Sequence, residues 1–139
     1  MRSKTQFDYF DHDADIGIMG RGESLEEAFI QAAIACFSIM IDLTQINSNR
    51  KIIIEFSETD IEFALVTWLN QLIAQARINE LIFNRFQLKR DNNNWYGEAF
   101  GAPWPANIDR GTEVKGATLT GLSVKKINGT WEAKCVVDV

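Results

Sequence analysis

The most informative stretch of the sequence is residues 24–40, which read SLEEAFIQAAIACFSIM. Ser24 and Glu27 have the spacing of a capping box, in which the serine oxygen accepts from the Glu27 amide and the glutamate reaches back to the Ser24 amide. Apolar side chains then recur at intervals of three and four, at Phe29, Ala33, Cys36, Phe37 and Met40. This pattern predicts a helix with one apolar face that must pack on a sheet or on another helix.

A second helix is predicted after Asp60, whose carboxylate can cap it. One side of this helix is apolar, with Ile61, Leu65, Trp68, Leu69, Leu72 and Ile73. Short strands are predicted at residues 7–10 and 15–19 before the first helix and at residues 52–56 before the second. These segments contain the β-branched and aromatic residues that are typical of strands.

The rest of the chain is predicted to form β-hairpins. An asparagine-rich turn would join strands at residues 86–90 and 95–100. The Asn-Gly dipeptide at residues 128–129 favours a type I′ turn between strands at residues 114–127 and 130–137. Two main helices on an antiparallel or mixed β-sheet make an α+β fold, a two-layer sandwich.

The composition fits one compact domain over residues 1–139. The chain is 46% hydrophobic and 24% charged, and a domain of this size needs neither a disulfide nor a structural metal to stay folded. Fourteen Lys and Arg against nineteen Asp and Glu give a net charge of -5. This charge argues against a surface that grips a nucleic-acid backbone through many phosphates, so no stable direct nucleic-acid binding is expected.

The sequence also predicts a cytoplasmic protein. Its apolar runs are well short of the ~20 residues of a membrane span, and the N-terminus has no signal-peptide core. Cys36 and Cys135 have no C-x-x-C spacing and lie in apolar surroundings. We therefore expect two buried thiols in a reducing compartment.

Asp13 and Asp15 are the first candidate metal ligands. In extended backbone, residues two apart project to one face, and His12 would then project to the other. Two close carboxylates repel each other, and calcium or magnesium would relieve that repulsion. The alternative is that these aspartates accept hydrogen bonds from backbone amides in a turn.

The end of the sequence adds two further candidates, Asp138 and the main-chain carboxylate of Val139. If the last hairpin lies beside the N-terminal strands, Asp15 could join them in an oxygen-rich site. Lys115, beside Gly116, could bind phosphate or moderate the negative charge there. An ordinary solvent-facing strand lysine is the alternative for Lys115, and periodicity does not decide between the two.

Several catalytic signatures are absent from the sequence. The glycines at residues 17–22 have the wrong intervals for a phosphate-binding loop, and no Lys-Ser or Lys-Thr pair follows them. No G-x-S-x-G elbow occurs, and the one histidine stands far from both cysteines in sequence. The sequence therefore indicates no nucleophile and base pair.

Five segments in order resemble the archease family, and the resemblance extends from Phe7 onward. They are residues 7–17 (FDYFDHDADIG), 25–29 (LEEAF), 68–72 (WLNQL), 111–115 (GTEVK) and 138–139 (DV). The resemblance implies an α+β fold of the strand-helix-strand-strand type with an inserted module. It also implies that the protein is not an enzyme but the protein cofactor of the RNA ligase RtcB, in tRNA splicing or RNA repair.

Archease-like proteins are thought to promote guanylylation of a histidine on that ligase and to allow its multiple turnover. By position, the resemblance implies a calcium-type site, with magnesium as the other option, on Asp15, Asp138 and Val139. Lys115 then matches a functional lysine. The sequence departs from the family pattern at Asp13, where the family usually has threonine, and at residues 119–120, where Leu and Thr replace an aromatic residue and histidine.

Two other functions remain open at this point. One is a free-standing metal-dependent hydrolase or phosphotransferase that uses Asp15 and Asp138 to activate water. The other is a chaperone-like binding module with no chemistry of its own. The lack of a general base beyond the metal ligands disfavours the first, and the clustered acids disfavour the second.

Overall fold

The computed structural model describes residues 6–139. Its elements are β1 (Gln6–His12), β2 (Asp15–Gly22), α1 (Leu25–Ser38), a 3-10 turn (Leu43–Gln45), β3 (Arg50–Ser57), α2 (Ile61–Asn79), β4 (Leu81–Asp91), β5 (Asn94–Pro103), β6 (Gly116–Ala117), β7 (Ser123–Ile127) and β8 (Thr130–Asp138). Two main helices packed on antiparallel sheets confirm the predicted α+β class. None of the helices within residues 6–139 is long and apolar enough to cross a bilayer.

The strands form two sheets. The five-stranded sheet has the order β1-β2-β8-β6, and β7 also pairs with β8. The three-stranded sheet has the order β3-β5-β4. Every described strand pair is antiparallel. The two ends of the described chain therefore build one sheet, and its middle builds the other.

Both helices begin at the predicted caps. Ser24 Oγ accepts from the Glu27 amide at 3.1 Å, and Asp60 Oδ1 accepts from the amides of Glu62 at 2.8 Å and Phe63 at 3.2 Å. The reciprocal half of the capping box differs from the prediction, because the Glu27 carboxylate accepts from Glu23 N–H at 3.2 Å.

Helix α1 packs on both sheets. Phe29 stacks on Trp95 of the three-stranded sheet, with ring centroids 5.1 Å apart. On the five-stranded sheet, Gly20 lets the backbone of α1 approach β2 so closely that a Cβ there would meet Ala28 and Ala32. The buried indole of Trp68 donates to the Phe29 carbonyl at 3.0 Å and so ties α2 to α1.

The strand predicted at residues 114–127 is interrupted in the structure. It forms β6 and β7, and the chain turns between them through Gly121, whose φ of +62° suits glycine. The turn is held to β8, since the Thr118 amide and hydroxyl both donate to the Val136 carbonyl and Val136 N–H donates to Thr120 O. The β-branched residues of this stretch had concealed the turn.

Gly20→Ala tests the close approach of α1 to β2. The added methyl group would collide with main-chain atoms of the helix, which cannot move aside as a flexible side chain can. We expect the free energy of unfolding to fall by about 2–3 kcal/mol, measured by denaturant titration. Gly116→Ala is the matched control, because its Cβ would meet only the side-chain oxygen of Asn70, at 3.3 Å. Equal losses in the two variants would contradict this packing.

Cys36 and Cys135 are free and buried, as predicted. Burial, reinforced by the nearby Cys135, raises the pKa of the Cys36 thiol far above its usual range, and burial raises the pKa of Cys135 to about 12. Because the thiolate is the reactive form, we expect neither thiol to react with a disulfide reagent at pH 8 in the native protein. Both should react in guanidinium chloride, and rapid labelling without denaturant would contradict the burial.

Candidate functional site

The turn between β1 and β2 corrects the prediction for Asp13. His12 pairs directly with Asp15, so residues 13–14 form a tight two-residue connection. Asp13 has a φ of 51°, and its side chain is 93% exposed and lies 3.9 Å from His12 Nδ1. The assumption of extended backbone through Asp13 and Asp15 is therefore wrong, because the chain reverses direction between them.

The same hairpin places His12 with Asp15. On one side, Asp15 is paired with His12 of β1. On the other side, β2 pairs with β8 as far as Ile16 and Val137, and the next step of the same register sets Asp138 opposite Asp15. Directly opposed residues of antiparallel strands share a face, with Cβ atoms about 4.5–5.5 Å apart. His12, Asp15 and Asp138 thus form one row across three strands. The prediction that His12 and Asp15 project to opposite faces is wrong.

This row lies on the face of the five-stranded sheet that points away from α1. Gly20 of β2 faces the helix. Side chains alternate between the two faces along a strand, so Asp15, at an odd spacing from Gly20, faces the other side. On β1, the Tyr9 hydroxyl donates to Ala35 O of α1 at 2.8 Å, so His12, three residues on, also points away from the helix. Both carboxylates therefore lie on the face of the sheet opposite α1.

The structure brings Asp15, Asp138 and Val139 together. Asp15 Oδ1 accepts from the Val139 backbone N–H at 3.2 Å, so the carboxylate does satisfy a backbone amide, although not one in its own turn. Asp138 is exposed, and Val139 and Asp15 are half-buried. The convergence depends on β8 lying beside β2.

A hard cation would need more oxygen ligands than the two carboxylates supply. Within residues 6–139, neither Asp15 nor Asp138 is in an ion pair. In the same range, no three His, Cys, Asp or Glu side chains are arranged to hold a metal ion. Two carboxylates would therefore need main-chain oxygens of Val139, or water, to complete a set of the oxygen ligands that calcium and magnesium prefer.

Lys115 adjoins this site through its backbone. It lies immediately before β6, rather than inside a long strand as predicted, and its N–H donates to the Asp138 carbonyl at 2.7 Å. Its side chain is exposed. Lys115 thus combines a backbone hydrogen bond to Asp138 with an ammonium group that is accessible to solvent.

Two side chains of α2 hold the segment that carries Lys115. Asn70 makes a pair of hydrogen bonds with Ala117, donating to its carbonyl at 3.2 Å and accepting from its amide at 2.8 Å. Arg77 Nη2 donates to the Val114 carbonyl at 3.2 Å. Sequence reasoning gave neither residue a role. Asn70 lies in the segment at residues 68–72 that resembles the family, and the signal for Arg77 was a charged residue next to the apolar side of the helix.

Comparison with known proteins gives a consistent result. The model of the "Archease protein family (MTH1598/TM1083)" matches residues 7–139. The chain is 37% identical to Protein archease of Sulfolobus acidocaldarius, over 97% of this chain and 99% of that protein. It is 31% identical to Protein archease of Methanosarcina mazei, over 96% of each.

Solved structures agree on the fold. The solution structure of Methanobacterium thermoautotrophicum protein 1598 superimposes with a TM-score of 0.83 at 27% identity, covering 96% of this chain and 98% of that one. A Thermotoga maritima archease, described as a possible chaperone, gives a TM-score of 0.66 at 20% identity. The superposition covers 100% of this chain and 98% of that one. With a family match that runs from Phe7 to the last residue, on a fold that these structures share, the chain belongs to the archease family.

Proposed function

We propose that this protein is a metal-binding accessory protein that activates an RtcB-type RNA ligase, by promoting guanylylation of the ligase and its multiple turnover. The observation that carries the proposal is that Asp15, Asp138 and Val139 are neighbours at one end of β8, where the backbone N–H of Lys115 donates to the Asp138 carbonyl. Membership of the archease family supports it. The two free, buried thiols are in keeping with a reducing compartment such as the cytoplasm.

Asp15 and Asp138, with main-chain oxygens of Val139, would hold the cation, calcium first and magnesium second. A bound divalent ion would supply positive charge between two carboxylates that otherwise repel each other. In this chain, Asp15 also accepts from Val139 N–H, which keeps the end of β8 next to the carboxylates.

The proposed site acts on the ligase. The chain has a net charge of -5, and such an acidic protein is complementary to a basic cleft of the kind that binds nucleotide and RNA. Lys115 would then present a cation to a phosphoryl group that carries developing charge during guanylylation. Asn70 and Arg77, which hold residues 114–117 on α2, would keep that cation in position.

A metal-dependent hydrolase or phosphotransferase is the second candidate. The observation in its favour is His12, which lies in the same row as Asp15 and offers a base that the sequence pattern did not place there. This candidate requires activity from the isolated chain, whereas the accessory role requires the ligase. The Thermotoga maritima relative's description as a possible chaperone fits an accessory role more broadly.

Calorimetric titration with calcium and magnesium tests the metal site. We expect one cation to bind the wild-type chain, and we expect Asp15→Asn and Asp138→Asn each to weaken binding at least tenfold, about 1.4 kcal/mol or more. Each substitution removes an anionic ligand while keeping the shape of the side chain.

Asp13→Asn is the matched control for this titration. Asp13 has the same charge and lies in the same hairpin, but it is in the exposed turn outside the row. We expect its affinity for the cation to match that of the wild type. A cation that binds all four proteins equally would remove Asp15 and Asp138 from the site.

Lys115→Ala tests the action on the ligase. We expect the melting temperature to change little, because replacing a solvated lysine alters stability by no more than about 0.5 kcal/mol. Multiple-turnover ligation by the ligase should fall sharply, to near the rate without the accessory protein.

The control for this experiment is Lys126→Ala, an exposed lysine on β7, which should activate the ligase fully. Equal activation by Lys115→Ala and the wild type would make Lys115 an ordinary surface lysine. Hydrolysis or ligation by the repurified chain alone, lost in Asp15→Asn, would favour the enzyme over the accessory role.

A further inference from the structure

A cavity of about 500 Å³ lies between the C-terminal ends of α1 and α2 and the loop at residues 104–115. Neither Asp15 nor Asp138 lines it, so it is separate from the candidate metal site. A cavity of ~300–1,000 Å³ with an apolar lining and a few polar groups is typical of small-molecule sites. The floor of this one consists of buried apolar side chains, which are Phe37, Met40, Ile73, Leu81 and Val114.

The loop that forms one wall of the cavity is held to both helices. The Gly111 amide donates to the Met40 carbonyl at the end of α1, at 2.7 Å. On the other side, Arg77 of α2 donates to the Val114 carbonyl at 3.2 Å. The wall is therefore in place before any ligand arrives, and binding does not have to supply the free energy of ordering it.

Each wall of the cavity carries one charge of each sign. Arg77 and Glu80 lie at the end of α2, and Arg110 and Glu113 lie on the loop. All four residues are exposed, in contrast to the buried floor. None of the four is in an ion pair within residues 6–139. Two cations and two anions thus line the mouth of one cavity without pairing with each other.

Both arginines are restrained and still have donors to offer. Arg77 uses Nη2 for the Val114 carbonyl, and the Arg110 guanidinium lies 4.1 Å from the ring centroid of Trp104. A guanidinium group has five N–H donors in one plane. Each arginine can therefore bind a carboxylate while keeping the contact that positions it.

We propose that this cavity binds a zwitterionic small molecule with an apolar body, the class to which the free aromatic and large aliphatic amino acids belong. The carboxylate of the ligand is bound by Arg77 and Arg110, and its ammonium group by Glu80 and Glu113. The apolar side chain enters the floor, where its removal from water is favourable. The C-terminal ends of α1 and α2 carry partial negative charge, which favours the ammonium group further.

The balance of charges is what selects a ligand of this class. A ligand with only negative charges would bring them close to Glu80 and Glu113, and one with only positive charges would bring them close to the two arginines. A small polar ligand without an apolar body would leave the floor of the cavity in contact with water. A ligand that carries both signs next to an apolar group avoids all three costs.

L-Tryptophan is the probe, added to the isotope-labelled full chain without metal or ligase and followed by amide chemical shifts. We expect the amides of Arg110, Glu113 and Val114 to shift, because these residues line the cavity. Tryptamine lacks the carboxylate and indole-3-propionate lacks the ammonium group, so each should bind about fivefold more weakly. The factor is modest because the charges at the mouth are exposed to solvent.

Two variants test the two signs of charge separately. Glu113→Gln should weaken L-tryptophan binding about fivefold but should not weaken the binding of indole-3-propionate, which has no ammonium group. Arg110→Gln should weaken L-tryptophan by a similar factor but should not weaken tryptamine, which has no carboxylate. Glu55→Gln is the matched control, since Glu55 is also an exposed acid but lies on β3, and it should bind L-tryptophan as the wild type does.

Three results would overturn the proposal. The first is the absence of shifts at the cavity with L-tryptophan at millimolar concentration. The second is binding of tryptamine or indole-3-propionate that is as tight as that of L-tryptophan or tighter, which would make the cavity a site for a single charge or for apolar groups alone. The third is an equal loss of both L-tryptophan and indole-3-propionate binding in Glu113→Gln. Because the assay contains no ligase and no metal, its failure leaves the proposed function untouched.

Discussion

The antiparallel pairing of β2 with β8 joins the two ends of the chain, and both the core and the candidate site follow from it. Ile18 of β2 and Val137 of β8 are buried toward the helices, so the pairing brings the apolar side chains of both strands onto one face of the five-stranded sheet. The same register sets Asp138 opposite Asp15. Most of the chain lies between these strands, so burial and backbone hydrogen bonds must offset the entropy of closing a long loop. Loss of the pairing would remove the site together with the sheet.

Helix α2 links this sheet to the rest of the molecule in two chemically different ways. On its apolar side, Trp68 is buried, lies against Gly97 of the three-stranded sheet and bonds to α1 through the Phe29 carbonyl. On its polar side, Asn70 and Arg77 hold the backbone of residues 114–117. One helix therefore supports the core and also determines where Lys115 stands relative to Asp138. This coupling explains how a site at the end of a strand is kept in register.

The two sheets present different chemistry to their surroundings. The end of the five-stranded sheet carries the carboxylates of Asp15 and Asp138, which are in no ion pair within the described residues. On the outward face of the three-stranded sheet, by contrast, Arg85 and Lys89 of β4 are balanced by Glu55 and Asp91. The total charge of -5 conceals this separation, because a sum over the chain has no spatial information.

Local patterns in the sequence determined the helices, their caps at Ser24 and Asp60, the buried thiols and the α+β class, since these depend on neighbours three or four residues away or on burial by hydrophobic side chains. Resemblance to the family pointed to the candidate site residues. Only the tertiary structure decided that Asp13 turns away, that His12 joins Asp15, and that the strand predicted at residues 114–127 breaks in two. The physical reason is that facing across a sheet is set by the register of strands far apart in sequence and by the direction of a two-residue turn, and side-chain periodicity carries neither.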